Sequence, residues 1–201
     1  MFAPDWLPVL LALLILAGRF VWVFARGEES KQSIELRRAW VKRILAAPGS
    51  EILAIQTVRN SIMAATLMAT TAVLALMGVI SIGHGQMNAP AVPLEWMHGG
   101  SSVKVFLPLA LLAACVVLFS KAVRLYHRTG YSLGLPRGSS DASAAAETAA
   151  INELTRAAQL YRNGWRTFYA AIATGAWLVG GWMMLATTVI IVGIDIAANI
   201  E

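Results

Sequence analysis

The chain of 201 residues is 58% hydrophobic and only 13% charged, with a mean hydropathy of +0.65. Those values exclude an ordinary soluble domain, in which about a quarter of residues are charged, and the single cysteine, Cys115, excludes an intrachain disulfide. The net charge of +5 hints at nucleic acid only until it is located: Arg26–Arg59 and Lys121–Arg166 hold fourteen of the sixteen Lys and Arg, Lys104 lies elsewhere, and Arg19 interrupts the first apolar run.

Such one-sided clustering is the positive-inside pattern of a membrane protein. It predicts that both basic stretches are cytoplasmic, that both termini lie outside, and that anionic lipid headgroups rather than nucleic acid meet the basic side. Four apolar runs reach the length of about 20 helical residues that a bilayer requires. The expectation is therefore a single integral membrane domain over residues 1–201, all-α, with four transmembrane helices.

The first run, Trp6 to Ala25, has Asp5 before it and Arg26 after it, the reverse of a signal peptide, and reads as a retained anchor. Arg19 lies seven residues from Arg26, roughly 10 Å of helix rise, so its head is expected to snorkel toward the inner headgroups or to form a polar site within the span. Ser30 to Ala47 is a basic amphipathic helix. Ile34, Leu36, Trp40, Val41, Ile44 and Leu45 gather on one side, and Lys31, Arg38, Lys42 and Arg43 on the other. This face suits either an anionic membrane surface, with Trp40 at headgroup level, or the protein's own cytoplasmic helix ends. Pro48-Gly49 ends it, and Ser50 is the expected N-cap of the next helix.

From Glu51 the pattern runs helically to about Ile82, longer than a bilayer needs. The outer loop, Gly83 to Ser102, carries His84, Met87, Met97 and His98, side chains that a soft metal accepts, but their spacing matches no established site and no metal is expected. Trp96 is expected at the outer interface. The third span covers about Val103 to Val123, followed by a basic exit and a Gly/Pro/Ser linker, Tyr131 to Ser140. An alanine-rich helix, Ala142 to Ala150, comes next. The fourth span runs from near Trp165 to near Ile194 and leaves Asp195 outside, with Ala171/Gly175 and Ala176/Gly180 as small pairs for close packing.

Two heptads stand 103 residues apart, Ala54-Ile55-Gln56-Thr57-Val58-Arg59-Asn60 and Ala157-Ala158-Gln159-Leu160-Tyr161-Arg162-Asn163, with Ala, Gln, Arg and Asn matched and a long apolar run after each. Gly27 and Gly130 repeat at the same offset. This predicts two parallel two-span repeats, about 1–82 and 103–201, related by an axis along the membrane normal. Within each heptad the Gln, Arg and Asn are spaced i, i+3, i+4 and share a helix face. Gln56, Arg59, Asn60, Gln159, Arg162 and Asn163, with Arg166 and Arg19, form an expected polar layer at the cytoplasmic helix ends.

The passages Arg59-Asn60-Ser61-Ile62-Met63-Ala64-Ala65-Thr66 and Tyr161-Arg162-Asn163-Gly164-Trp165-Arg166-Thr167-Phe168-Tyr169 resemble the bacterial and plant family called domain of unknown function 599. The resemblance implies a multispan membrane protein, expected in a bacterial inner membrane, and brings no catalytic residue with it.

Chemistry narrows the remainder. On this reading no Asp or Glu lies within a span, which disfavours proton relays and cation sites. No Ser-His-Asp set, H-E-x-x-H, Walker A or G-x-G-x-x-G is present. The expectation is no enzyme and no cofactor. Two roles remain for the layer. It ties spans together in a structural or accessory subunit of a homo-oligomer or larger membrane complex, or it binds an anionic solute or lipid headgroup in an oligomeric channel or carrier.

Overall fold

The computed structural model describes residues 6–25, 31–47, 49–88, 101–134 and 140–198. Among these the chain is all-helical, without a strand: α1 (Trp6–Ala25), α2 (Lys31–Ala46), α3 (Glu51–Asn88), α4 (Ser101–Gly134), α5 (Ser140–Gly175) and α6 (Gly181–Ala198). Two stretches, Ile52–Ser81 and Val103–Gly134, are long and apolar enough to cross a membrane by length and composition, and Trp6–Arg19 and Gly181–Ala197 are shorter apolar helices.

The described residues form two compact units. One takes in Met1–Gly27, Ala72–Cys115 and Trp165–Glu201; the other takes in Glu28–Thr71 and Val116–Gly164. Helices α3, α4 and α5 each contribute residues to both.

In the second unit the core is built on small side chains. Ala54, Ala122, Ala150 and Ala157 are fully buried together with Val41, Ile44, Val58, Tyr126 and Leu133. Small residues let helix backbones approach closely, and the larger side chains fill the space between. The amphipathic α2 spends its apolar face here: Val41 and Ile44 are buried, and Trp40 and Leu45 pack against the same cluster. Of the two uses expected for that face, packing on the protein's own helices is the one seen, while Leu36 stays 64% exposed.

The turn between α2 and α3 depends on Gly49, whose φ of 84° lies in the left-handed region that side chains with a Cβ avoid. Ser50 departs from its expected role. Its carbonyl accepts the Ala54 N–H at 3.1 Å, as an N-cap carbonyl does, but its hydroxyl points back to α2, 2.6 Å from both the Ile44 and the Ala47 carbonyl oxygens. It serves the carbonyls left open at the end of the preceding helix rather than the free N–H groups of the next.

The second half departs from expectation more strongly. The separate helix at 142–150 and the start of the fourth span are one element, the 36-residue α5. The single helix expected from Trp165 to Ile194 is two. After Gly175 the chain makes one 3-10 turn, Ala176–Leu178, and restarts at Gly181. Gly175, Gly180 and Gly181 supply the reason, since each lowers helix stability by about 1 kcal/mol relative to alanine. Gly180 and Ala176 therefore serve the break, not a helix-packing pair.

Within the first unit α6 packs along α1. Val9 and Ala12 meet Met184, with Leu16, Trp177 and Leu185 around them, and further along both helices Arg19 meets Asp195. Both contacts advance toward the C-terminal ends, so α1 and α6 run parallel.

Gly164 sits where a side chain cannot. A Cβ there would fall 2.7–2.9 Å from three ring carbons of Phe119, itself at 0% exposure. Overpacking costs about 1–3 kcal/mol, against a gain of about 1 kcal/mol from replacing a mid-helix glycine. Because the buried ring has nowhere to step, Gly164→Ala is expected to lower the melting temperature in detergent, and adding Phe119→Leu is expected to restore most of the loss. A Gly164→Ala protein that melts as high as wild type would show that the ring moves freely.

Candidate functional site

The expected polar layer divides by environment. On α3, Gln56, Arg59 and Asn60 are exposed; on α5, Gln159, Arg162 and Asn163 are half-buried. The geometry behind this is shared. At 100° per residue the Arg and Asn flank the side opposite the first alanine of each heptad, and both alanines, Ala54 and Ala157, are fully buried in one core cluster. The difference lies in how far each helix is covered. The buried positions of α3, Ala54, Val58, Ala65 and Ala72, form one stripe, whereas α5 is at least half-buried at all but one of the positions from Ala157 to Phe168 and beyond to Ala171. Arg166, half-buried, and Arg19 belong to the first unit.

Aromatic rings surround the α5 heptad. Tyr161 meets Phe119 edge-on, with centroids 5.7 Å apart. Trp165 lies 5.4 Å from Tyr169 and, perpendicular, 6.3 Å from Phe168. These are packing contacts of the kind aromatic pairs prefer.

The sharpest polar contact was not foreseen as a pair. Arg19 Nε donates to Asp195 Oδ2 at 2.7 Å, and its Nη2 donates to the same oxygen. The Arg19 side chain is 15% exposed and that of Asp195 36%. The placement of Arg19 at the inner headgroups and Asp195 outside is therefore corrected: two groups in hydrogen-bond contact occupy one level. Asp195 sits within the short apolar helix α6 rather than beyond its end. Asp195 lies on α6, the helix that restarts after the break at Ala176–Gly180 and packs along α1. The sequence did hold a signal. A lone guanidinium in an apolar run calls for a carboxylate, and Asp195 is the one acidic residue embedded in another such run.

Other charged contacts are looser. In the second unit Lys42 lies 4.0 Å from Glu147, and Arg128 lies 3.8 Å from Glu153, which also accepts from the Ser132 hydroxyl at 3.3 Å. In the first unit the Lys104 ammonium stands 5.6 Å from the centre of the Trp177 ring, within cation–π range. Cys115 is buried, consistent with packing. Glu95, Trp96, Met97 and His98, and the side chains of His84, Met87 and Lys31, lie outside the described residues.

A family model matches nearly the whole chain. The model of a family described as a protein of unknown function, DUF599, covers residues 6–199. No curated protein and no solved structure matches the chain.

Removing one member of the Arg19–Asp195 pair strands the other in a poorly hydrated place. Full burial would make this cost about 3–5 kcal/mol; with Asp195 one-third exposed, about 1–3 kcal/mol is expected for Arg19→Ala or Asp195→Ala. The double variant Arg19→Leu/Asp195→Leu should recover most of the loss, since an apolar pair fits the surrounding helices. Thermal melts of the four proteins check this, and equal, additive losses would show that the two groups do not depend on each other.

Proposed function

We propose that this chain, which belongs to the DUF599 family of proteins of unknown function, is a multi-pass integral membrane protein with a structural role. It acts as an accessory or assembly subunit, in which charged and amide groups fasten helices to one another. The carrying observation is the Arg19–Asp195 pair. A guanidinium and a carboxylate on two apolar helices answer each other, which is how charge is retained in a bilayer without serving transport.

Membrane residence is supported by the side chains that the helices leave uncovered. Leu67 and Leu74 of α3 are each 67% exposed, and Met63, Met77, Phe106, Val117, Ile190 and Ile194 are exposed as well. Apolar surface on this scale belongs in lipid or against another membrane subunit. The basic residues beside the helix ends then meet anionic headgroups.

The parallel course of α1 and α6 changes the crossing count. With α1 entering from outside, α6 does likewise, so α1, α3, α4, α5 and α6 make five crossings and the C-terminus is cytoplasmic. Lys104 at the start of α4 and Trp177 after the end of α5 meet on one level, as an outer rim requires. The pseudo-symmetric pairing of two-span repeats then describes α1 to α5, and α6 is an addition without a counterpart. Within a homo-oligomer or a larger membrane complex, the exposed Gln56, Arg59 and Asn60 are the groups left to meet a neighbour.

Three measurements test the reading. A reporter fused after Glu201 should be active as a cytoplasmic fluorescent protein and inactive as a periplasmic phosphatase; the opposite result restores four crossings. In proteoliposomes, anion flux should not exceed that of empty vesicles, and Arg162→Ala should lower thermal stability by about 1–3 kcal/mol, more than exposed Arg59→Ala. Anion flux abolished by either variant at unchanged stability would instead make the protein a channel or carrier for anionic solutes.

A further inference from the structure

The second unit holds a cavity of about 430 Å³ between α2 and α5, lined by Ile34, Arg38, Ile151, Asn152, Thr155 and Arg156. None of the six belongs to the polar layer of the two heptads. The two isoleucines give it an apolar wall, Ile151 buried and Ile34 half-buried, while Arg38, Asn152 and Arg156 are exposed at its mouth.

Three observations make this more than a surface groove. First, two guanidiniums are brought to one opening by two different helices, although like charges repel and nothing in helix packing requires it. Second, neither forms an ion pair among the described residues. Two carboxylates of α5 are engaged elsewhere, Glu147 near Lys42 and Glu153 near Arg128, and Glu35, exposed one turn before Arg38 on α2, pairs with neither. Third, the Thr155 hydroxyl oxygen is buried and makes no hydrogen bond. Thr57, Thr129, Thr148 and Thr174, by contrast, each donate to the carbonyl four residues back. A buried hydroxyl left without a partner is unfavourable, and Thr155 is one of the residues that line the cavity.

We propose that this cavity binds a phosphate group. Arg38 and Arg156 supply planar forks that match phosphate oxygens two at a time, the Asn152 amide adds a neutral donor, and the Thr155 hydroxyl gains the partner it lacks. The volume is within the range of small-molecule sites, about 300–1,000 Å³, and exceeds what a bare phosphate fills. The ligand is accordingly a phosphate ester whose attached group lies against Ile34 and Ile151. That chemistry is shared by a lipid headgroup and by a soluble phosphate monoester.

The full chain in phosphatidylcholine nanodiscs, titrated with radiolabelled inorganic phosphate and with glycerol phosphate, tests the soluble source. Retention of phosphatidic acid through detergent exchange, measured by native mass spectrometry, tests the lipid source. Wild type is expected to bind in at least one arm. Arg38→Gln/Arg156→Gln should weaken that binding at least tenfold at unchanged melting temperature, and Arg38→Lys/Arg156→Lys should keep part of it. Thr155→Val should weaken binding a few-fold while the melting temperature holds or rises. Saturation by a soluble phosphate assigns the soluble source; retention of phosphatidic acid alone assigns the lipid. Wild-type binding in neither arm, or equal binding by the Arg→Gln double variant, overturns the site. A Thr155→Val protein that melts lower than wild type overturns the role given to the hydroxyl.

Discussion

A guanidinium on one apolar helix and a carboxylate on another are stable there only in each other's company, and the first unit is arranged around that requirement. Isolated, either group would be left without a counter-charge in a poorly hydrated place. Together, Arg19 and Asp195 hold α1 and α6 in one register, and the contact of Val9 and Ala12 with Met184 fixes the same register about three turns away. Apolar contacts alone tolerate sliding by a turn. A charge pair does not, because a slip of one turn would separate the groups by about 5 Å.

The second unit solves a different problem by different means. Its helices come together on alanine and glycine: Ala54, Ala122, Ala150 and Ala157 lie in the core, and Gly164 accepts the face of Phe119. Close backbone approach gains dispersion contacts along the whole length of the helices. It also leaves little room for error, so a single added methyl at Gly164 is a severe change while larger changes on exposed α3 are mild. The amphipathic α2 closes this core with Val41 and Ile44, and its basic side remains outward. The cationic opening formed by Arg38 with Arg156 follows from that placement.

The matched heptads show how one local pattern meets two environments. In both, alanine is turned inward and Gln, Arg and Asn away from it, because helix periodicity dictates as much. On α3 the far side is open; on α5 it is half covered. Identical sequence spacing therefore yields exposed groups in one place and half-buried groups in the other.

Much was legible in the residues themselves. The all-helical class, the places of α2, α3 and α4 in the chain, the long apolar stretches, the turn at Gly49 and the family all follow from hydropathy, periodicity and short motifs, which are local properties of a chain. The ends do not, since α3 runs on to Asn88 into the expected outer loop and α4 to Gly134 into the expected linker. The boundaries of α5 were not legible, since Ala142 to Trp165 is strongly helix-forming and nothing local marks where one element yields to the next. Nor was the break at Gly175–Gly181, because small residues in an apolar run serve helix contact as readily as helix interruption. That ambiguity matters because the helix that restarts after the break is the one that packs along α1 and carries Asp195. Pairing of Arg19 with a residue 176 positions away, the burial of Gly164 under Phe119, and the stranded hydroxyl of Thr155 depend on which helices lie side by side. Hydrophobic matching between faces is too unspecific to be read from one strand of text, and only the folded chain selects among the arrangements it allows.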